Sequence, residues 1–102
     1  MITIVAKIRA KKGHEAQVKA ALLGFLAPSR AEAGCVNYDL HQASNDPQEF
    51  LFYENWKDQE AFDLHKAGPC VTHLQQELEG KLTESVEITQ WTKLENKIGV
   101  QL

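Results

Sequence analysis

Apolar residues recur with two different periods along this chain of 102 residues, and the alternation of the two periods limits the folds open to it. From Ile2 to Ala10 apolar and polar side chains alternate, which is typical of a strand with one buried face. From His14 onward apolar residues return every three or four positions, as they do on one face of a helix. That stripe consists of Val18, Ala21, Leu22, Phe25 and Leu26. The pattern predicts a strand followed by an amphipathic helix.

Proline and glycine residues predict where the helical regions end. Pro28 lacks a backbone N–H donor and disfavours helical geometry in the residue before it. We therefore expect the first helix to end near Ala27 and a short second turn to run from Pro28 to Gly34. Gly68 and Pro69 divide the second helical region in the same way.

The rest of the chain repeats this order of elements. Cys35 to Gln42 and Glu49 to Trp56 alternate as strands, and the polar segment between them reads as a hairpin loop. Asp58 can cap a following helix, Gly80 closes the helical region, and Thr83 to Lys93 alternates as a last strand. The order βαββαβ is the split arrangement of an α+β, ferredoxin-like fold, with an antiparallel sheet and helices on one face.

Length and charge exclude several classes of protein. The chain is long enough for one core, so we expect one domain over residues 1–94 and a C-terminal tail over residues 95–102. A net charge of −3 without a basic cluster argues against nucleic-acid binding. Apolar runs are too short to cross a bilayer and the first residues do not resemble a secretory signal, so we expect a cytoplasmic protein without a membrane partner. We accordingly expect Cys35 and Cys70 to be reduced thiols rather than a disulfide.

The third predicted strand is apolar on both faces, which is unusual for a sheet covered by helices on one face only. Phe50, Phe52 and Trp56 alternate with the apolar residues of the opposite face. The apolar residues of that second face are Val5, Leu51, Tyr53 and Trp91. Large exposed apolar patches are rare on monomers, and a two-fold interface lets one patch serve both partners. We therefore expect a homodimer that forms through the sheet face. The alternative is a monomer with a modestly apolar open sheet.

Five segments are distinctive in their order and spacing. They are Met1–Ile8 with Lys12-Gly13, Pro28–Glu32 with Gly34-Cys35, Tyr38–Gln42, Phe52–Trp56 and His65–Pro69. Together they resemble the antibiotic-biosynthesis-monooxygenase family from Ile2 to about Leu94. The resemblance implies a dimeric ferredoxin-like α+β barrel in which each subunit has a pocket between its helices and its sheet.

The resemblance also implies a range of chemistry. Relatives include oxygenases that convert phenols or hydroquinones to quinones with dioxygen and without metal or flavin, haem-degrading enzymes, and an isomerase of a phosphorylated autoinducer sugar. Our leading hypothesis is a cofactor-free monooxygenase whose partners are dioxygen and a small quinol-like or phenolic substrate. The alternatives are an isomerase of a small phosphorylated sugar or carbonyl compound, with Lys66 and Arg30 as phosphate anchors, and a non-catalytic dimer that binds small molecules.

Family residues transfer only in part. Trp56 occupies the place of a tryptophan that helps to bind substrate in the aromatic-polyketide oxygenases. Their asparagine, tyrosine and arginine correspond to Phe52, Phe62 and approximately Gln76. The places of the haem branch's axial histidine, asparagine and tryptophan hold Gln75, Ala6 and His65, so we expect no haem. Quinol-monooxygenase-like members usually carry two histidines around Pro69, and here His65 is kept while Cys70 takes the second place.

Candidate site residues follow from strand and helix faces. Alternation places Glu54 on the same face as Phe52 and Trp56, which makes it a carboxylate among aromatics. A general base that removes a phenolic proton would let the anion react with dioxygen directly. We therefore take Glu54 and His65 as catalytic candidates. The substrate-binding candidates are Trp56, Phe52, Tyr38 and Phe62. For each of these residues a purely structural role in the core remains the alternative.

The four histidines show no spacing that would gather them around a metal ion, and we expect no metal site. His14 and His73 read as exposed helix residues, and His41 as a residue of the dimer face.

Overall fold

The computed structural model describes residues 1–95 and contains the predicted order of strands and helices. Four strands and four helical segments follow one another along the chain. They are β1 (Ile2–Arg9), α1 (Glu15–Gly24), α2 (Leu26–Arg30), β2 (Cys35–Gln42), β3 (Glu49–Trp56), α3 (Gln59–Ala67), α4 (Pro69–Leu78) and β4 (Glu87–Trp91).

The strands form one antiparallel sheet in the order β2-β3-β1-β4. This order is the one that two split βαβ halves produce, and the predicted α+β, ferredoxin-like fold is confirmed. Ile4 pairs with Glu54 and Ala6 pairs with Phe52, so the buried residues of β1 and β3 share one face. The helices pack on this inner face and enclose the core between them and the sheet.

The break between the first two helices lies earlier than predicted. α1 ends at Gly24 and α2 already begins at Leu26, so the expectation that Pro28 would end the first helix near Ala27 was wrong. Pro28 lies in the first turn of α2, where its missing N–H would have had no acceptor within the helix. The chain turns instead at Phe25, whose N–H reaches Leu22 at 3.2 Å.

Two strands differ from the simple alternation. β2 has a bulge between Cys35 and Asn37, which turns Val36 outward and leaves it 56% exposed instead of beside Tyr38. β4 is shorter than the predicted Thr83–Lys93: regular pairing with β1 covers Glu87–Trp91, while nearer the predicted start Leu82 forms an isolated bridge with Ala10 and the Thr83 N–H donates to the Arg9 carbonyl at 3.0 Å.

The helix starts and the chain's limits can also be compared with expectation. Asp58 caps α3 as predicted, with its carboxylate accepting the Ala61 N–H at 2.9 Å. The domain boundary at residue 94 stays a prediction, and most of the predicted tail, residues 96–102, lies outside the described residues. Within residues 1–95 the helices are too short, or too polar, to span a membrane.

Gly34 joins the turn after α2 to β2 in a conformation that other residues adopt at a cost. Its φ is +85°, and a Cβ at this position would come within 2.5 Å of the Ala61 Cβ. Its carbonyl also accepts the Lys57 N–H at 2.8 Å. Gly34 therefore lets β2, the end of β3 and α3 approach one another closely.

We predict that Gly34→Ala lowers the free energy of unfolding by about 2 kcal/mol or more, because backbone strain and a steric clash add together. Gly13→Ala is the matched control: Gly13 also has a positive φ, of +94°, but nothing lies within 4 Å of its added Cβ. Urea denaturation of both variants measures the difference. Equal losses in the two variants would show that the contact with α3 contributes nothing.

Candidate functional site

A cavity of about 110 Å³ lies between the inner face of the sheet and the helices. β1 supplies its apolar floor with Ile4, Ala6 and Ile8, and α4 covers it with Val71, Leu74 and Leu78. The space holds more than one water molecule and is lined mainly by carbon. An apolar cavity with a few polar groups directed at it is the usual form of a small-molecule site.

Most of the predicted site residues meet at this cavity. Phe52, Tyr38, Phe62, Glu54 and His65 all border it, and they come from β2, β3 and α3. The antiparallel pairing of β2 with β3 places Tyr38 directly opposite Glu54. Residues far apart in sequence are thus brought to one wall.

Trp56 lies behind this wall rather than on it. Its side chain is fully buried, and its indole Nε1 donates a hydrogen bond of 2.7 Å to Glu54 Oε1. The centre of its ring lies 4.6 Å from the centre of the His65 ring. Trp56 therefore contacts both candidate catalytic groups without bordering the cavity, and it can orient them rather than touch a ligand.

Glu54 is a buried carboxyl group, with only 2% of the residue exposed. Burial disfavours its charged form and raises its pKa to about 7. The hydrogen bond from Trp56 and the nearby Tyr38 hydroxyl group act in the opposite direction and lower the pKa, whereas the charge of Glu32 adds to the rise. Near neutral pH this carboxyl group exists in both protonation states, as a group that accepts and returns a proton must.

Tyr38 supplies a hydroxyl group that stays protonated. Burial raises its pKa far above the ordinary range, and the neighbouring Glu54 raises it further. An O–H group beside a carboxylate donates to it. Tyr38 therefore stabilises the Glu54 carboxylate and closes one side of the cavity with its ring.

His65 is buried among aromatic rings on the inner face of α3. Its ring centre lies 5.4 Å from that of Tyr38 and 5.6 Å from that of Phe25. Burial lowers its pKa, whereas a hydrogen bond of 2.8 Å between its Nδ1 and Glu32 Oε1 acts in the opposite direction. The imidazole is accordingly neutral at neutral pH.

Glu32 contacts His65, but no periodic pattern in the sequence predicts that it belongs to this site. It lies in the turn between α2 and β2, where no strand or helix period assigns a face. The only signal for it was its place in the segment Pro28–Glu32 that supports the family resemblance.

The two candidate phosphate anchors do not converge on the cavity. Arg30 Nε donates to the Tyr38 carbonyl at 3.0 Å, and another of its nitrogens lies 3.5 Å from Asp39, both outside the cavity. Lys66 borders the cavity, with its Nζ 4.9 Å from the centre of the Phe62 ring. Among residues 1–95, no three His, Cys, Asp or Glu side chains come close enough together to hold a metal ion.

A second, larger hollow of about 330 Å³ separates α1 and α2 from α4. Cys70 and His73 border it, and His73 is largely exposed, as predicted, with Nε2 2.6 Å from Glu77. Cys70, at the place of the second histidine of quinol-monooxygenase-like relatives, thus faces this hollow and not the cavity with Glu54. No buried titratable group borders the hollow within the described chain, so we place the site in the smaller cavity.

Comparisons with known proteins agree with this fold. The family model described as "Antibiotic biosynthesis monooxygenase" matches residues 1–77. A protein of Mycobacterium tuberculosis named "Putative monooxygenase Rv0793" is 26% identical over 86% of each chain. The uncharacterized protein sll1783 of Synechocystis is 31% identical over 67% of this chain, a match that spans only 46% of that longer protein.

Solved structures give the same result. The crystal structure of PA3566 from Pseudomonas aeruginosa superposes with a TM-score of 0.86 and 36% identity, over 92% of this chain and 94% of that one. The family match covers most of the chain and includes Tyr38, Glu54 and His65 of the cavity wall. The chain belongs to the antibiotic biosynthesis monooxygenase family.

Proposed function

We propose that this chain is a cofactor-free monooxygenase that oxidises a small quinol or a related phenol with dioxygen in the cavity beside Glu54. The observation that carries the proposal is a buried carboxyl group, with a pKa of about 7, at the wall of a mainly apolar cavity. The name of the mycobacterial relative points to the same class of reaction. One domain over residues 1–94 carries this activity.

Glu54 suits the removal of a phenolic proton. A phenol has an ordinary pKa near 10, so a carboxylate with a pKa of about 7 is weaker as a base by roughly three units, whereas an ordinary glutamate would be weaker by more than five. The smaller gap lowers the free energy needed to form the phenolate. The O–H bond breaks, the proton moves to Glu54, and the electron pair stays on the substrate oxygen.

The resulting anion is electron-rich enough to react with dioxygen itself. For a hydroquinone the balanced reaction takes up one dioxygen and gives a hydroxyquinone and one water. One oxygen atom enters the product and the other leaves as water. The chain's residues have to bind the ring, hold the proton and exclude bulk water.

Phe52, Phe62 and Tyr38 form the surface against which such a ring would pack. Trp56 acts from behind by fixing the orientation of Glu54, which refines the sequence-based idea that it binds substrate directly. His65 faces the same cavity as a second titratable group.

The isomerase alternative finds less support in this geometry. A phosphorylated substrate needs cationic or strong donor groups that converge on the phosphate. Arg30 is engaged outside the cavity, which leaves Lys66 as a lone cation at its border, with its ammonium group 3.5 Å from Asp63. A protein that only binds small molecules would not need a buried carboxyl group whose pKa is raised to about 7.

We also propose that two copies of the chain associate through the outer face of the sheet. Tyr53 is 41% exposed there and Trp91 is 58% exposed. Beside them Thr3 donates to Asn55 at 2.6 Å and Asn55 donates to Asn37 at 2.9 Å. These polar groups are already paired within one chain, so a partner could cover them without leaving buried donors or acceptors unsatisfied.

We predict that the purified chain, stripped of metal, consumes dioxygen with hydroquinones or catechols and incorporates one atom of ¹⁸O₂ into the product. Glu54→Gln should lower this rate by about 10² to 10⁴-fold, the usual contribution of a general base. The wild-type rate should rise with pH through about 7, because Glu54 accepts a proton only in its ionised form. An oxygen electrode and mass spectrometry measure both quantities.

Glu60→Gln, at an exposed carboxylate in the first turn of α3, is the matched control and should retain the wild-type rate. Samples without protein measure autoxidation, which also rises with pH. Uptake equal to autoxidation across the panel, or full activity in Glu54→Gln, would contradict the proposed function.

We predict that the chain elutes with the mass of a dimer, about twice its 11.5 kDa, in size-exclusion chromatography with light scattering. Tyr53→Lys should shift it toward the monomer, because each chain would bring a charge into the proposed apolar interface. Leu64→Lys changes an apolar residue of α3 that is 68% exposed and should leave the mass unchanged. A wild-type monomer at micromolar concentration would refute the interface.

A further inference from the structure

Glu32 and His65 form a pair that connects the cavity with the protein surface. Nδ1 of His65 lies 2.8 Å from Glu32 Oε1, while the side-chain exposure falls from 26% at Glu32 to 4% at His65. The two residues are 33 positions apart and are brought together where α3 passes the turn between α2 and β2. The His65 ring itself borders the cavity.

This contact decides which ring nitrogen carries the proton. An ionised carboxylate can only accept hydrogen bonds, so a neutral imidazole that bonds to it must donate from Nδ1. Neutral imidazole has one N–H, and Nε2 then carries a lone pair. Within residues 1–95 the hydrogen bond of the His65 side chain is made at Nδ1, and the ring borders the cavity, so the Nε2 lone pair is available to a molecule bound there.

We propose that Glu32 is a positioning residue that holds His65 protonated on Nδ1, so that His65 Nε2 serves as a second proton acceptor beside Glu54. This inference rests on the proposed function and narrows its substrate class to aromatic rings with two ionisable hydroxyl groups. A quinol that becomes a quinone loses both hydroxyl protons, and the cavity wall offers one acceptor for each. In the second transfer an O–H bond breaks, an Nε2–H bond forms, and Glu32 stabilises the resulting imidazolium.

The surroundings of His65 fit this assignment. Tyr38, from β2, keeps its proton and cannot compete as a base. Glu54, from β3, is the other acceptor, and the charge of Glu32 raises its pKa as well. Lys66 follows His65 on α3 but turns its ammonium group toward Phe62 and Asp63. Glu32 is therefore the charged group in direct contact with the imidazole.

The first test determines which ring nitrogen of His65 carries the proton, and it needs no substrate. In ¹⁵N-labelled protein at neutral pH, long-range proton–nitrogen correlation spectra should show His65 protonated on Nδ1. In Glu32→Gln the preference should weaken, because an amide can either accept from Nδ1 or donate to it. A wild-type His65 protonated on Nε2 would overturn the assignment, whether or not the chain consumes dioxygen.

The second test measures how Glu32→Gln changes the reaction rate and its pH dependence. Glu32→Gln should lower kcat for hydroquinones by about 10- to 100-fold with little change in KM, and less for a phenol with one hydroxyl group. The acid limb of its pH–rate profile should move to lower pH, because removal of the Glu32 charge lowers the pKa of both His65 and Glu54. A residue that only maintained the fold would not shift this limb.

Glu77→Gln is the matched control, since it removes the carboxylate from an exposed Glu–His pair on α4, 2.6 Å from His73. Wild-type kinetics in Glu32→Gln, with hydroquinone oxidation intact, would refute the role of Glu32. If the wild-type chain does not oxidise hydroquinones, the proposed function is refuted, and so is the role of His65 as a second proton acceptor. The spectra would still decide whether Glu32 sets the tautomer.

Discussion

The hydrogen bond from Trp56 Nε1 to the buried carboxyl group of Glu54 is the interaction on which the rest of the site depends. The fold itself favours the protonated acid. Folding raises the pKa of Glu54 from 4.5 to about 7. The protonated carboxyl group therefore makes its full contribution to the free energy of unfolding below pH 4.5, and this contribution is lost as the pH rises through 7. At alkaline pH the ionised form costs about 3 kcal/mol of folding free energy. The Trp56 indole and the nearby Tyr38 hydroxyl group limit that cost, and the hydrogen bond from Trp56 also fixes where the carboxylate points.

The neighbouring residues can be understood from this constraint. Trp56 contacts Glu54 and the His65 ring, and the aromatic surface of the cavity comes from Phe52, Phe62 and Tyr38. At two of these places the polyketide oxygenases resembled by the sequence carry an asparagine and a tyrosine, and here both residues are phenylalanine. Phenylalanine at both places makes the cavity wall less polar, which is consistent with the small aromatic substrate that we propose.

Much of the fold could be predicted from the sequence because period-two and period-3.6 patterns report directly which face of an element is buried. The bounds of β2 and β3 agree with the alternation of their side chains, and Asp58 marked the start of α3 correctly. The failures have local causes. A bulge shifts the alternation at Val36, and the first turn of a helix tolerates Pro28, so neither position obeys the simple rule.

The site was predictable where strand or helix faces define it and unpredictable elsewhere. Alternation placed Glu54 beside Phe52, and the helical stripe placed His65 inward. Alternation could not show that Trp56 lies behind the cavity wall, because a residue buried in the core and a residue that lines the cavity follow the same alternating pattern. Glu32 belongs to a turn, and its contact with His65 exists only through the tertiary fold.

The most direct measurement of the central claim is the titration of Glu54 itself by carbon-detected NMR of its side-chain carboxyl group, assigned with Glu54→Gln. A midpoint of about 7 is the result that burial behind Trp56 predicts. A midpoint near 4.5 would mean that Glu54 is an ordinary solvated carboxylate, and the proposed base would be lost.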